Sequence, residues 1–266
     1  MSRIDRRFAQ LKSAGRTGLI PFVTAGDPSP QHAVALMHAL VEAGADVIEL
    51  GVPFSDPMAD GPVIQHASER AIERGVGLVD VLGYVAKFRQ RDTDTPVVLM
   101  GYLNPIEIHG YDRFAAEAVV AGVDGVLVVD CPLEESAVLQ PLRDAGLQQI
   151  LLAAPTTAPG RMVELCGSAQ GFLYYVSFAG VTGAARLSTS DIALRVAEIR
   201  AKSKAPVAVG FGVRDAQTAK VIAGFADAVV IGSALVERLA GAGDVGDITA
   251  RASAFLAPIR AALDAH

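Results

Sequence analysis

Eight short apolar runs are spaced along the chain, and they constrain its fold more than any other feature. Each run is almost continuously hydrophobic and ends near a glycine, a serine or an acidic residue. Nearly unbroken hydrophobicity over so few residues is typical of strands covered on both faces, as in a parallel sheet. In chain order the runs are GLIPFVTAGDP, DVIELGVPF, PVVLMGYLNP, GVLVVDCP, QQILLAAPT, GFLYYVSFAG, PVAVGFGV and DAVVIGSA.

The segments between these runs have the periodicity of amphipathic helices. Apolar residues recur every three or four positions in two clear examples, which are Val34, Met37, Leu40 and Val41, and Ile192, Leu194, Val196 and Ile199. Three joints also share a sequence: EAGADVIEL, VAGVDGVLVVD and IAGFADAVVIG each end a helix at Ala-Gly and begin a strand at or just after aspartate. Glycine can adopt the left-handed conformation that ends a helix, so the same joint is predicted three times.

This alternation of strand and helix predicts an α/β fold, a single (β/α)8 TIM barrel, because eight such units in about 250 residues match the usual size of that barrel. A doubly wound sheet is the alternative, but the chain shows neither a two-part shift in composition nor a GxGxxG motif after the first run. We therefore expect one domain over residues 1–266. An extra helix should precede the first strand, and an added helix should lie in the long segment 62–92.

The charge and composition of the chain exclude several classes of function. Its 23 basic and 29 acidic residues give a net charge of -6, which offers no broad basic surface for nucleic acid or an anionic membrane. The chain has two cysteines, Cys131 and Cys166, and opens without a signal-peptide pattern, which fits a reducing cytoplasm. The apolar runs are much shorter than the roughly 20 residues of a spanning helix.

Polar residues at the ends of the predicted strands are the candidates for chemistry, because barrel active sites lie there. Glu49 is the most unusual of them, since it stands within an apolar run where a charged carboxylate is costly to bury. Asp60 follows in a turn rich in proline and glycine. The other polar residues near strand ends are Thr24, Asp27, Ser55, Asp56, Tyr102, Asn104, Asp130, Cys131, Tyr174, Tyr175, Ser177 and Ser233.

Lysine and metal chemistry are disfavoured by where the lysines and histidines stand. Every lysine falls in a predicted helix or at its frayed end, so a strand-end Schiff base is not expected. The 5 histidines lack the spacing of metal ligands, and none stands directly on a strand end, so we expect no metal site. Carboxylates are left as the candidates for acid–base catalysis.

Glycines after the last three predicted strands predict an anion site. The segments AGVTG (179–183), GFG (210–212) and IGSA (231–234) follow consecutive strands. Glycine lets backbone N–H groups approach phosphate oxygens, and barrels commonly bind phosphate at these strands. Any one of these glycines is explained as well by a tight turn, but their occurrence on three consecutive strands favours phosphate.

Each candidate also has a purely structural interpretation. Glu49 could be satisfied by a neighbouring hydroxyl or backbone group, and Asp60 could cap the helix that Pro62 begins. Asp56 precedes a proline and suits a turn or a surface contact. Cys131 has no histidine placed to activate it, so it is better interpreted as a small packing residue.

Six motifs extend over nearly the whole chain, from the first strand to the last. They are PFVTAGDP, IELGVPFSDPMADGPVIQ, DCPLEES, SFAGVTG, GFGV and IGSA. Together they resemble the family of tryptophan synthase alpha subunits. The resemblance implies a lyase of tryptophan biosynthesis that cleaves indole-3-glycerol phosphate into indole and glyceraldehyde 3-phosphate by a retro-aldol reaction. It also implies a beta-subunit partner in an alpha2beta2 complex, which holds pyridoxal phosphate and receives the indole through a tunnel, while this chain has no cofactor of its own.

The resemblance also implies roles for individual residues. Glu49 and Asp60 match the two catalytic carboxylates. Substrate contacts fall on Phe22, Met100, Leu127, Tyr174, Thr182, Gly183, Phe211, Gly212, Gly232 and Ser233, and the partner-facing surface falls on Pro53, Asp56 and Pro132. Phe178 stands where some relatives carry arginine, which puts in doubt a charged contact from that position in the closed loop.

Two other functions stay open at this point. Phosphate-binding glycines alone are equally compatible with a phosphosugar isomerase or epimerase on the same barrel. A subunit that has lost catalysis and only regulates a partner is the second alternative, and the intact pair Glu49 and Asp60 argues against it.

Overall fold

The computed structural model of the protein describes residues 1–176, 189–210 and 212–265. Within these ranges the chain forms one sheet of nine strands, and all adjacent strands are parallel. The strands are β1 (Gly18–Thr24), β2 (Ile48–Gly51), β3 (Val97–Gly101), β4 (Gly125–Val128), β5 (Gln148–Gln149), β6 (Leu151–Ala153), β7 (Leu173–Val176), β8 (Val207–Gly210) and β9 (Ala228–Ile231). They pair in the order β5-β4-β3-β2-β1-β9-β8-β7-β6.

The two ends of this sheet come from one apolar run, the fifth. β5 pairs with β4, β6 pairs with β7, and Ile150 between them donates its N–H to the carbonyl oxygen of Val126 at 2.8 Å. The sheet therefore closes on itself, which confirms the predicted (β/α)8 barrel. The sequence predicts an uninterrupted fifth strand, whereas the structure divides it where the pairing passes from β4 to β7.

Helices surround the barrel. In the described residues they are α1 (Arg3–Ser13), α2 (Ala33–Glu42), α3 (Pro62–Glu73), α4 (Leu78–Phe88), α5 (Leu103–His109), α6 (Tyr111–Ala121), α7 (Gln140–Asp144), α8 (Pro159–Ser168), α9 (Thr189–Lys202), α10 (Ala216–Ala223), α11 (Ser233–Leu239) and α12 (Val245–Asp264), with 3-10 helices at Pro30–His32 and Leu133–Leu139. α1 precedes β1, and both α3 and α4 lie between β2 and β3. The single domain over residues 1–266 stays a prediction.

Helix α1 closes the amino-terminal end of the barrel. Its buried residues Ile4, Phe8 and Leu11 form one cluster with residues that point into the barrel. The barrel residues of this cluster are Ile20, Val47, Val98, Leu127, Ile150, Phe172, Ala208, Ala228 and Val230. The rings of Phe8 and Phe172 lie 5.7 Å apart. Since α1 covers the end where the strands begin, substrate access is left to the end where they finish.

The three aspartates of the repeated joint make one recurring contact, which we call the aspartate clamp. Each carboxylate accepts the backbone N–H of a residue at the start of the preceding strand: Asp46 from Leu19 at 2.9 Å, Asp124 from Val97 at 2.8 Å and Asp227 from Val207 at 2.8 Å. Each also accepts from an arginine: Arg260 of α12 at 3.0 Å, Arg89 just after α4 at 2.8 Å and Arg200 of α9 at 2.8 Å. The clamp therefore fastens neighbouring strands at their amino ends.

Replacing Asp124 with asparagine is expected to lower the free energy of unfolding by about 3 kcal/mol, because it deprives the buried Arg89 of its nearest carboxylate, at 2.8 Å. The Asp124 side chain is only 4% exposed. Asp227→Asn is the matched control, since that side chain is 28% exposed and its pair with Arg200 should contribute about 1 kcal/mol or less. Urea unfolding of both variants measures the difference, and equal losses would contradict the role of burial.

Candidate active site

Glu49 lies on β2 with its side chain directed into the barrel. It stands two residues after Val47, which belongs to the interior cluster, and its register partners are Phe22 on β1 and Val98 on β3. The residue is 1% exposed, and its Oε1 atom has no hydrogen-bond partner among the described residues. Burial, together with the nearby charge of Asp60, raises the pKa of Glu49 to about 8. Glu49 therefore holds its proton at neutral pH.

Asp60 comes to the same end of the barrel from the loop between β2 and α3. The Tyr102 hydroxyl, which follows β3, donates to Asp60 Oδ2 at 3.0 Å and accepts the N–H of Ala59 at 3.0 Å. Burial raises the pKa of Asp60, and the hydrogen bond from Tyr102 opposes that rise. Gly61, not Asp60, is the N-cap of α3. The carboxylate of Asp60 is thus held by a tyrosine from another strand and does not cap the helix.

Tyr174 on β7 shares this environment. It stands two residues after Phe172 of the interior cluster, and burial, followed by the charges of Glu49 and Asp60, raises its pKa well above the ordinary value. Gly210 on β8 makes room for the ring, because a Cβ atom at that position would lie 2.7 Å from Tyr174 Cε2. The structure therefore brings Glu49, Asp60 and Tyr174 to one place.

Apolar side chains line the same mouth of the barrel. Met100 packs against two clusters. One contains Phe22 of β1 and residues of α3, and the other is the interior cluster that contains Leu127. Gly51 allows the Phe22 ring its position, since a Cβ atom there would lie 2.6 Å from Phe22 Cζ. Phe22, Met100 and Leu127, which the resemblance gives as substrate contacts, form an apolar wall at this end of the barrel.

The glycines of the predicted phosphate site are described only in part. Gly232 is the N-cap of α11, Ser233 is the first residue of that helix, and a Cβ atom at Gly232 would lie 3.5 Å from Phe22 Cβ. Gly212, after β8, has a φ of 44° and no neighbour within 4 Å of its would-be Cβ. Thr182, Gly183 and Phe211 lie outside the described residues, as does Phe178.

The residues predicted to face a partner differ in exposure. Asp56 is exposed in the loop before Asp60, and Pro132 is exposed at the start of the 3-10 helix Leu133–Leu139. Pro53 is buried within this chain. Met58, in the same loop as Asp56, has 78% of its surface exposed. The loop that delivers Asp60 to the barrel mouth thus also presents residues at the surface.

Tyr102 is a residue of the site whose role the sequence alone does not indicate. Tyr102 lies 42 residues from Asp60 and contacts its carboxylate, a distance over which sequence periodicity carries no information. Its one local signal is its position near the end of the third apolar run. Across the described ranges, no group of three or more histidine, cysteine, aspartate or glutamate side chains could hold a metal ion. None of the helices described there has both the length and the apolar character to cross a membrane.

A closed (β/α)8 barrel with a buried protonated acid, a second carboxylate and an apolar wall at the carboxyl ends of its strands is the architecture of a TIM-barrel enzyme. The family model for the tryptophan synthase alpha chain matches residues 8–260. The tryptophan synthase alpha chain of Xylella fastidiosa (strain 9a5c) is 61% identical over 266 residues, covering 100% of this chain and 99% of the relative.

Solved structures agree with the sequence comparisons. Tryptophan synthase subunit alpha from Legionella pneumophila str. Paris superimposes with a TM-score of 0.93 at 45% identity, covering 100% of both chains. A chain of ligand-free tryptophan synthase from M. tuberculosis gives a TM-score of 0.87 at 33% identity, covering 99% of this chain and 100% of that one.

The chain belongs to the tryptophan synthase alpha chain family. It is a lyase that cleaves indole-3-glycerol phosphate in tryptophan biosynthesis. The comparisons favour neither a phosphosugar isomerase or epimerase nor a subunit without catalysis.

Proposed function

We propose that Glu49 and Asp60 together perform the retro-aldol cleavage of indole-3-glycerol phosphate to indole and glyceraldehyde 3-phosphate. The observation that carries this proposal is the burial of Glu49 beside Asp60, which raises the Glu49 pKa to about 8 and keeps a proton available at neutral pH. Cleavage requires a place for the electrons of the broken carbon–carbon bond. The indole ring supplies it: protonation of C3 makes the ring an acceptor, and bond cleavage restores its aromaticity.

The reaction needs one group that both donates a proton to the indole ring and accepts a proton from the glycerol hydroxyl. In our proposal Glu49 delivers its proton to C3 of the indole, and then helps to take the proton from the glycerol hydroxyl as the aldehyde forms. The proton gained at C3 equals the proton lost at oxygen, so Glu49 is returned to its starting state. An acid with a pKa near the working pH suits both halves of the cycle.

Asp60 is proposed to bind the indole N–H and to stabilise the positive charge that develops on the ring after protonation. A carboxylate fixed in place before the reaction stabilises such charge without reorganisation. The Tyr102 hydroxyl holds Asp60 Oδ2 at 3.0 Å and also holds the loop through Ala59. Tyr102 is thus proposed as a positioning residue for Asp60.

The remaining site residues are proposed to hold the two ends of the substrate. Phe22, Met100, Leu127 and Tyr174 would contact the indole ring, and Thr182, Gly183, Phe211, Gly212, Gly232 and Ser233 would surround the phosphate. The contact between Gly232 and Phe22 supports this division, because it puts the proposed phosphate end next to the apolar wall. Backbone N–H groups at glycines are well suited to phosphate oxygens.

The activity is tested by following the release of free indole from indole-3-glycerol phosphate by the purified chain. Indole and glyceraldehyde 3-phosphate should appear in equal amounts. Conversion of the substrate into an isomer without release of indole would instead identify a phosphosugar isomerase or epimerase.

The rate of cleavage should fall as the pH rises past about 8, because the pKa of Glu49 is about 8 and the reaction begins with its protonated form. Below that pH Glu49 is protonated, and its titration should not change the rate. The profile of kcat/KM between pH 6 and pH 10, with kcat followed in parallel, measures the effect. A profile that rises through pH 8 would contradict the role of Glu49 as an acid.

A beta subunit of tryptophan synthase is the partner we propose, in an alpha2beta2 complex in the cytoplasm. The pyridoxal phosphate of the complex would belong to that partner, and this chain would work without a cofactor. Pro53, Asp56 and Pro132 are proposed to face it, and the surface exposure of Asp56 and Pro132 supports this. Indole production with and without the beta subunit, with the mass of the mixed species measured in solution, tests the association.

A further inference from the structure

The aspartate clamp is missing from one joint of the barrel where its spacing predicts it. It occurs where β2, β4 and β9 begin, so that a fourth clamp would be expected at the start of β7. Extending the register of Leu151 and Leu173 back by two residues places Gly171 opposite Gln149. In the three clamps, the residue at the place of Gly171 is aspartate. Gly171 has a φ of 61° and no side chain, so the fourth joint lacks its carboxylate.

The arginine of the missing clamp is nevertheless present. Arg89 and Arg200 lie at the end of the helix that precedes the first strand of their pair, and Arg260 lies on α12. At the fourth joint the preceding helix is α7, which carries Arg143. Arg143 donates to the side-chain oxygens of Gln149 at 2.6 Å and Gln140 at 2.7 Å, and to the Ser136 carbonyl at 2.9 Å. No carboxylate of the described residues lies within ion-pair distance of it. Arg143 is therefore surrounded by neutral acceptors.

The backbone donor of the missing clamp is also weakly satisfied. The N–H of Gln149 reaches the side-chain oxygen of Gln170 at 3.4 Å, whereas the corresponding N–H groups reach aspartate oxygens at 2.8–2.9 Å. A bond of 3.4 Å is longer than the usual range for N–H···O contacts. Gln149 also ends β5, immediately before the interruption of the fifth strand.

A cavity of about 410 Å³ lies beside this joint. Its lining includes Arg143, Gln170, Gly171, Lys204 and Asp5. Lys204 is exposed and makes no hydrogen bond or ion pair with any other described residue. Asp5 is the carboxylate of the lining, and it already accepts from Gln148 Nε2 at 2.9 Å and from the Ser2 N–H at 3.2 Å. Two cations thus face the cavity beside one carboxylate that is held by neutral donors.

We propose that this cavity binds a small dicarboxylate. One carboxylate pairs with Arg143, and the second pairs with Lys204 at the rim. A carboxylate is the matching chemistry because the corresponding arginine of each of the three clamps donates to one. The site lies at the amino-terminal end of the strands, away from Glu49, and does not depend on the proposed catalytic roles.

Malonate is the probe for this site. In thermal unfolding of the full chain, sodium malonate should raise the Tm by about 3–5 °C at roughly ten times its Kd, relative to sodium chloride at equal ionic strength. In a titration followed by amide NMR, the signals of Gln170 and Gly171 should shift and saturate, while those of Phe22 and Gly232 should not. Shifts confined to the latter two residues, or no saturable shift at all, would overturn the proposal.

Variants separate the cavity from other effects of malonate. Lys204→Gln should weaken malonate binding at least several-fold without loss of stability, because Lys204 is exposed and makes no hydrogen bond or ion pair with the described residues. Arg143→Gln should abolish binding. Arg200→Gln is the matched control, since it disturbs a complete clamp and should keep the full response. An equal response of the Tm to malonate in all four proteins would refute the site.

An internal carboxylate offers an independent test. Gln170→Glu puts a carboxylate of the same shape at the oxygen that already faces the Gln149 N–H. At neutral pH this variant should have a higher Tm than the wild type and a reduced response to malonate. A lower Tm together with an undiminished response would contradict the assignment.

Discussion

Glu49→Gln is expected to lower kcat for indole release by about 10²–10⁴-fold, the usual effect of removing one acid–base group. Glutamine has nearly the shape of the protonated glutamate that the raised pKa predicts, so the barrel mouth should be unchanged. It has no dissociable proton, however, and can neither protonate the indole nor take the hydroxyl proton. Binding of glycerol 3-phosphate, measured by calorimetry, should be nearly unaffected. A variant with close to wild-type turnover would refute the role of Glu49.

Glu49→Gln should also make the protein more stable than the wild type at high pH, although it lowers the rate. The pKa of Glu49 is raised from 4.5 to about 8 on folding, so its contribution to stability is complete below the unfolded value and is lost as the pH rises through the folded value. The difference corresponds to about 5 kcal/mol at most. Above pH 8 Glu49→Gln should therefore unfold at a higher temperature than the wild type, and near pH 5 the two should be similar.

These two results together separate catalysis from structure. If Glu49 were only a satisfied buried residue, its replacement would lower stability at every pH. A loss of turnover accompanied by a gain of stability above pH 8 has no such explanation. The buried acid would then lower the stability of the protein at high pH, and its catalytic role would explain why it is kept.

The barrel could be predicted from the sequence because its strands are buried on both faces. Such strands consist almost entirely of apolar residues and stand out as short hydrophobic runs. β1 is buried at all seven of its positions, and the runs of β2, β4 and β9 are equally buried. The burial of Glu49 followed from the same pattern, since a residue between buried neighbours on a two-sided strand is buried whichever way it points. Local composition was sufficient for these features.

Features that depend on distant parts of the chain could not be predicted in this way. The contact of Asp60 with Tyr102 joins the loop after β2 to a residue 42 positions away, just after β3. The interruption at Ile150 results from closure of the whole sheet. The repeated aspartates were visible as a sequence pattern, but their arginine partners lie as far away as Arg260, which is 214 residues from Asp46. Tertiary geometry, not periodicity, brings such groups together.

Asp60→Asn is expected to lower kcat by about 10²–10³-fold, because it removes the negative charge that faces the developing positive charge on the indole ring. Asparagine keeps an oxygen that can accept from Tyr102, so the loop should keep its position and the Tm should change little. Steady-state kinetics of indole release and a thermal melt measure the two effects. A large fall in Tm with a near-normal rate per folded molecule would identify Asp60 as a structural residue instead.

Tyr102→Phe is the control that separates charge from position. It removes the hydroxyl that holds both the Asp60 carboxylate and the Ala59 N–H, but it leaves the charge of Asp60 in place. A hydrogen bond to a charged group is worth about 1.5–3 kcal/mol, so the rate should fall by about tenfold to a hundredfold. If charge is decisive, Asp60→Asn will be the slower enzyme of the two. If the two variants are equally slow, the tyrosine and the aspartate act only through the shape of the loop.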